Sequence, residues 1–123
     1  MNALLVCVDD TEAETLHRAL IEADHFPLRR TSLEQAQKAL EDAYDGQFSL
    51  VLIHCSGHET RAVLVALGQL AQSRGAVYVL RCHKATWHEA QQDFPQGTRF
   101  IGTSPLEGRH YASPLELPQR LRI

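Results

Sequence analysis

The chain has 123 residues, of which 44% are hydrophobic and 22% charged, and its formal net charge is −3. This length fits one domain with a single core. So small a charge gives no electrostatic reason to expect binding to nucleic acid or to a membrane surface, and the apolar runs are too short to span a bilayer.

The N-terminus and the cysteines bear on the cellular compartment. No basic leader of the kind found in secretory signals precedes the acidic pair Asp9-Asp10. The cysteines are odd in number, and the spacing of Cys7, Cys55 and Cys82 does not suggest a disulfide framework. We therefore expect a cytoplasmic protein with reduced thiols.

The chain begins with a predicted strand and helix. Residues 4–8 form a continuous apolar run, which indicates a strand that is buried on both faces, as in a parallel sheet. Thr11, followed by Glu14 three residues later, has the spacing of a capping box and predicts the start of the first helix. We expect this helix to fade near Asp24, before Pro27.

The alternation of strand and helix then continues to the end of the chain. Residues 28–31 are only weakly apolar and predict a short strand at the edge of the sheet, while Ser32 and Gln35 form a second capping-box pair. Gly46 is a natural stop for the helix that begins there. The other predicted elements are a strand at 48–53, a helix from about 59 to Gly75, a strand at 76–80, a helix from Thr86 to Pro95, a strand at 99–101 and a closing helix from Ser113.

Five strands that alternate with helices predict one α/β domain over residues 1–123, built on a doubly wound, five-stranded parallel sheet. A weak second strand at the edge favours the flavodoxin-like strand order 2-1-3-4-5. Ligands bind such sheets at the carboxyl ends of the strands, beside the reversal between the first and third strands. The residues expected there are Asp9, Asp10, His54, Cys55, Arg81, Cys82, His83, Thr103, Ser104 and Pro105.

Two segments resemble the receiver domain of bacterial response regulators. Residues 5–10 resemble the strand that ends in an acidic pair, which helps to hold Mg²⁺ in that family. Residues 49–53 resemble the strand that presents the phosphoacceptor aspartate, and the order and spacing of the strands fit over the whole chain. The resemblance implies a regulatory domain of two-component signal transduction.

The residues that would carry phosphorylation in such a domain are replaced. His54 stands at the phosphoacceptor position, Arg81 at the position of the hydroxyl residue, and Ser104 at the position of the lysine. Aspartyl phosphorylation needs a carboxylate nucleophile and a divalent cation, so we expect little or no phosphorylation at position 54. The resemblance thus implies a degenerate receiver site that consists of Asp9, Asp10, His54, Arg81 and Ser104. We expect no catalytic residues and no enzyme activity, because an acidic segment rather than a glycine-rich phosphate loop follows the first strand.

Several roles remain open for these side chains. Asp9 and Asp10 could bind a weak divalent cation with His54, or they could begin a turn and place negative charge at the N-terminus of the first helix. His54 could be hydrogen-bonded to one of the two acids, which would raise its pKa, and Arg81 could pair with them across the crevice. A further hypothesis is a site for Zn²⁺ or another transition metal with nitrogen and sulfur ligands from His54, Cys55, His58, Cys82 and His83. Against it, the cysteines could be small hydrophobic residues near the core.

The leading hypothesis is a pseudo-receiver that acts as a phosphorylation-independent regulatory or protein-interaction module and requires no cofactor. Its partner would be another protein or an output domain, since the chain could be the N-terminal part of a longer regulator, and a homodimer is a further expectation. Receivers often use the face of their fourth helix, fifth strand and fifth helix for contacts, which the resemblance places here at Trp87, Phe100, Tyr111 and Leu115. The alternative is a small-ligand or transition-metal sensor that uses the crevice at the strand ends.

Overall fold

The sheet is parallel throughout. The computed structural model describes residues 1–83 and 91–123, and the side chains of all of these except residues 107–109. Its strands are β1 (Asn2–Val6), β2 (Phe26–Arg30), β3 (Leu50–His54), β4 (Val77–Cys82) and β5 (Arg99–Gly102). Neighbouring strands are parallel and lie in the order β2-β1-β3-β4-β5. The predicted α/β fold and its strand order are confirmed.

The helices cover both faces of this sheet. Those within the described residues are α1 (Asp10–Glu22), α2 (Leu33–Glu41), α3 (Arg61–Ser73) and α4 (Leu117–Arg120). Short 3₁₀ turns occur at Gln91–Asp93 and Pro105–His110. The helix predicted to begin at Thr86 lies largely outside the described residues, and its described end is the first of these two turns.

The two predicted capping boxes have different outcomes. Ser32 caps α2 as predicted, because its hydroxyl accepts a hydrogen bond from the Gln35 amide at 3.2 Å. The prediction that Thr11 caps the first helix is wrong. Asp9 is the cap, and its Oδ1 accepts from the Glu12 amide at 2.9 Å. Aspartate is a better N-cap than threonine, and Asp9 also has an acid three residues later, so the helix begins at Asp10.

The closing helix is shorter than predicted. The Ser113 carbonyl accepts from the amides of Glu116 at 2.9 Å and Leu117 at 3.0 Å, which forms a turn before α4 begins. A helix that began at Ser113 would place Pro118 at an interior position, where its ring and its missing N–H disrupt helical hydrogen bonding. In α4 the proline lies in the first turn, where no amide donor is needed.

The strands are apolar on both faces because both faces are covered. One buried cluster packs between the sheet and helices α2 and α3, and it includes Leu4, Val51 and Tyr78. The other packs between the sheet and helices α1 and α4, and it includes Leu5 and Leu52. Side chains therefore alternate between the two clusters along β1 and β3.

The contact of α3 with β4 fixes which face of this helix is buried. The Tyr78 hydroxyl donates a hydrogen bond to the Leu64 carbonyl at 2.7 Å, and burial raises the pKa of this tyrosine. A Cβ at Gly68 would lie 2.7 Å from Tyr78 Cε2, so the close packing requires glycine there. Leu64, Gly68 and Ala71 consequently face the sheet, and the opposite side of α3 faces outward.

A buried histidine ties the C-terminal segment to the amino ends of the strands. His25 is 2% exposed, and its Nε2 lies 2.9 Å from the Leu121 carbonyl oxygen. Its Nδ1 lies 3.2 Å from the Ser49 hydroxyl. A carbonyl can only accept, so Nε2 carries a hydrogen and donates it to Leu121. This bond helps to hold the segment after α4 against the domain.

Candidate functional site

The candidate site lies at the carboxyl ends of β3 and β4. In the register of these adjacent strands, His54 lies beside Arg81. The residues that precede them, Ile53 and Leu80, belong to the cluster under α2 and α3. Because successive side chains on a strand point to opposite faces, His54 and Arg81 both lie on the face that α1 covers.

Arg81 is the centre of this site. It is 8% exposed, and its Nη1 donates to Glu12 Oε2 on α1 at 2.6 Å. The same nitrogen lies 3.0 Å from His54 Nδ1. We call these three residues the Glu12–Arg81–His54 cluster. Its guanidinium has a carboxylate counter-ion within the chain, and the carboxylate side chain itself is 40% exposed.

The neighbouring guanidinium fixes the state of the His54 ring. A guanidinium can only donate hydrogen bonds, so His54 Nδ1 accepts and the neutral ring carries its hydrogen on Nε2. Burial, followed by the positive charge of Arg81, lowers the pKa of His54. Its single lone pair is therefore engaged by Arg81, and the ring offers none to a phosphoryl group or a metal ion.

One donor in the cluster is unsatisfied. Arg81 Nε is buried and has no hydrogen-bond partner among the described residues. An unpaired buried donor costs about 1–3 kcal/mol. Part of what the ion pair contributes to stability is therefore offset at the same side chain.

The acidic pair does not join this cluster. Asp9 caps α1, and Asp10 lies 2.9 Å from Arg29 Nη2 with its carboxylate largely in solvent. Arg29 is held in place by hydrogen bonds from Nε and Nη2 to the Cys7 carbonyl at 3.1 and 3.0 Å. The predicted pairing of His54 and Arg81 with Asp9 or Asp10 is therefore wrong, and so is the predicted rise in the pKa of His54. The reading of the pair as negative charge at the N-terminus of the first helix is the one that fits.

Glu12 is the site residue that sequence reasoning missed. It stands three residues after Asp9, and the Asp9-x-x-Glu12 spacing is itself a capping-box signal. With Asp9 as the cap, the helix begins two residues earlier than a helix capped by Thr11, and Glu12 lies in its first turn near the crevice. Its pairing with Arg81 depends in addition on how α1 is rotated against the sheet.

The donors of the predicted metal sites are not brought together. Among the described residues, no group of three or more histidine, cysteine, aspartate or glutamate side chains is placed to hold a metal ion. This covers the set Asp9, Asp10 and His54, and also the set His54, Cys55, His58, Cys82 and His83.

Two of these donors interact with each other on the opposite face of the sheet. Cys55 follows β3 and Cys82 ends β4, and both side chains are buried in the cluster under α2 and α3. A hydrogen bond with Cys82, followed by burial, raises the pKa of the Cys55 thiol. Thiolates are the metal-binding form of cysteine, so this raised pKa disfavours metal binding.

A carboxylate organises the loop between β3 and α3, which borders the site. Glu59 Oε2 accepts from the Ser56 amide at 3.0 Å and from its hydroxyl at 2.8 Å, while Oε1 accepts from the Gly57 amide at 3.0 Å. Burial alone would raise the pKa of Glu59, but these hydrogen bonds outweigh it and hold the pKa below its ordinary value. The loop after position 54 is thus held by a partly exposed carboxylate.

The remaining predicted residues are dispersed. Ser104 lies after β5, where its hydroxyl accepts from the Leu106 amide at 3.3 Å. Phe100 is buried and packs edge-to-face on Phe94 with ring centroids 5.6 Å apart, which does not suit the contact role predicted for it. Tyr111 forms an isolated parallel β-bridge with Gly102. Leu115 is 92% exposed, and Trp87 lies outside the described residues.

Solved structures with the same fold include several receiver domains. A response regulator receiver protein from Sinorhizobium medicae is 11% identical with a TM-score of 0.68, over 98% of this chain and 90% of that one. An atypical orphan response regulator, described as having a phosphorylation-independent regulatory mechanism, is 14% identical with a TM-score of 0.67, over 98% and 92%. An adenylate cyclase from Rhodopirellula baltica is 18% identical with a TM-score of 0.62, over 83% and 75%. At these identities the likeness establishes the fold.

No protein-family model matches the sequence, and no curated protein shows a significant match to it. Within residues 1–83 and 91–123, no helix is both long and apolar enough to cross a membrane.

Proposed function

We propose that this chain is a receiver-like domain that regulates a protein partner or an output domain by binding, without phosphorylation at position 54 and without enzyme activity. The Glu12–Arg81–His54 cluster is the observation that carries the proposal. It occupies the strand ends where the resemblance to receivers would place a phosphoacceptor, and it presents no carboxylate from β3.

Charge balance in the cluster supports this proposal. A receiver site needs several oxygen ligands for Mg²⁺, and that cation neutralises the phosphoryl group as it is transferred. Here the buried positive charge is Arg81, which already has Glu12 as its counter-ion. An incoming phosphoryl group would have to displace Glu12, and position 54 offers no carboxylate to receive it, only an imidazole whose lone pair is engaged by Arg81.

The geometry also supports a domain held in one conformation. The Arg81 guanidinium joins β4 to α1, and its contact with His54 extends the connection to β3. A switch needs a group with two states of similar energy. A permanent cation fixed by an ion pair and a neutral imidazole does not supply one near neutral pH.

The test is incubation with acetyl phosphate and Mg²⁺, followed by intact mass measurement, with a phosphorylatable receiver domain as positive control. We expect no added phosphoryl group on this chain. The variant His54→Asp is also expected to remain unmodified, because Arg81 and Glu12 persist and no lysine stands at position 104. A labile adduct of one phosphoryl group on the wild-type chain would overturn the proposal.

A further inference from the structure

The outer face of α3 is apolar although it is exposed. Residues 62–73 contain no charged side chain. Ala62, Val63, Ala66 and Gln69 are nevertheless exposed, and Val63 retains 39% of its accessible surface. A surface helix usually carries charged residues on its outer side. The absence of charge along α3 is thus characteristic of a helix that is covered on both sides.

Two shallow depressions border this face. One, of about 240 Å³, lies between α3 and α2 and is lined by Gln37, Val63 and Leu70 together with Ala62 and Ala66. The other, of about 620 Å³, lies on the opposite side of the same two alanines, toward Asp93. The alanines form a low ridge between the depressions, and small residues at a contact allow another helix to approach closely.

Neither terminal turn of α3 contains a charge that complements the helix dipole. Its first turn contains no acid, its N-cap Thr60 makes no side-chain capping bond, and its last turn contains no basic residue. Its first residue is Arg61, a cation at the positive end of the helix dipole. Beyond the other end, Arg74 is turned toward α2, where it donates to the Leu40 carbonyl at 3.0 Å and the Glu41 carbonyl at 3.1 Å.

We propose that the outer face of α3 is the interface of a homodimer, in which two copies pack α3 against α3 in antiparallel orientation about a twofold axis near Ala66. In this arrangement each Arg61 lies over the C-terminal turns of the partner helix, where a cation is favourable. An uncharged face is self-complementary, as an isologous contact requires. The half-exposed ion pair of Arg61 with Asp93 at 3.0 Å contributes little to stability, so it does not prevent Arg61 from also interacting with the partner helix.

This inference is independent of the proposed function, since it uses neither the strand ends nor their cluster. It also places the contact on a different face from the one that the resemblance to receivers implies. The face of a single helix is small for a stable interface, so we expect a weak, concentration-dependent dimer.

The test is sedimentation velocity on the full chain over a wide concentration series. We expect a monomer–dimer equilibrium for the wild type. Ala66→Glu is expected to raise the dimer Kd by at least about tenfold, because it brings two carboxylates together near the twofold axis. Ile21→Glu, at an exposed apolar position on α1, is the matched control and is expected to leave the Kd unchanged.

A second experiment does not depend on a disruptive substitution. Ala66→Cys is expected to form an intermolecular disulfide under mild oxidation, because the two copies of residue 66 face each other, while Ile21→Cys stays monomeric on a non-reducing gel. A wild type that remains monomeric at the highest soluble concentration would overturn the proposal. So would a dimer that Ala66→Glu leaves intact, or one that Ile21→Glu weakens equally.

Discussion

Arg81 on β4 and Glu12 on α1 form an ion pair of 2.6 Å across the end of the sheet, and the arginine side of this pair is almost completely buried. Removal of one partner from a buried pair leaves the other charge without compensation, which costs more than the pair itself contributes. The loss in the free energy of unfolding when one of the two residues is substituted therefore measures how strongly the ion pair stabilises the site.

We expect Glu12→Ala to lower the free energy of unfolding by about 1–3 kcal/mol, since half-exposed Glu12 lets water solvate part of the abandoned charge. Urea denaturation followed by circular dichroism measures the change. The matched control is Glu14→Ala on the same helix, which breaks the exposed pair with Arg18 at 2.7 Å and should cost at most about 1 kcal/mol. Equal losses in the two variants would contradict a special role for Glu12.

The fold was largely predictable because strand order depends on patterns that a sequence contains. Continuous apolar runs identify strands buried on both faces, and the weak run at 28–31 identifies an edge strand. The first helix begins two residues before its predicted start, because both Asp9 and Thr11 have the sequence signal of a cap. Pro118 decided the length of the closing helix, and its effect depends on where the first turn begins.

The site was only partly predictable. His54 and Arg81 were predicted at adjacent strand ends, because each follows an apolar run and the carboxyl ends of parallel strands meet at one edge of the sheet. It did not show which carboxylate meets Arg81, because that choice depends on the rotation of α1 and on Asp9 being engaged as its cap. The sulfur atoms were separated from this site because Cys55 and Cys82 lie on the opposite face of the sheet.

The lowered pKa of His54 predicts a specific pH dependence of stability. Burial and Arg81 hold this pKa below the ordinary value of 6.5, so the unfolded chain binds a proton more readily than the folded chain does. The stability that neutral His54 provides is fully present above pH 6.5 and declines as the pH falls from there through the folded-state pKa. Chemical denaturation at a series of pH values measures this decline.

The variant His54→Gln isolates that contribution. Glutamine can accept from Arg81 but does not titrate, so its stability profile should be flatter than that of the wild type below pH 6.5. His17→Gln, at an exposed position of α1, should retain the wild-type decline. If the profile of His54→Gln were parallel to that of the wild type throughout, the proposed state of the His54 ring would be incorrect.

The bond from His25 to the Leu121 carbonyl predicts a link between the amino ends of the strands and the C-terminal segment. His25→Ala should lower the free energy of unfolding by about 2–4 kcal/mol, because it leaves a cavity and a carbonyl without its donor. Amide hydrogen exchange should show the loss of protection concentrated at residues 117–121. His17→Ala is the exposed control, and protection lost evenly over the domain would argue against the link.

The buried thiols predict slow reaction with a thiol reagent. A hydrogen bond with Cys82 and burial raise the pKa of Cys55, and burial is also the main cause of the raised pKa of Cys7. Since the thiolate is the reactive form, the native chain should react with a disulfide reagent at least roughly tenfold more slowly than a cysteine introduced by Val8→Cys at an exposed position.

Denaturation provides the control for this prediction, because all three cysteines should then react at the rate of free thiols.

The same protonation keeps the sulfur atoms from binding metal, so added Zn²⁺ should leave the melting temperature of the wild type unchanged. A zinc-dependent rise that disappeared in Cys82→Ser would show that the thiols can be drawn into a metal site, and that the β3 and β4 ends can bind a metal as well as hold an ion pair.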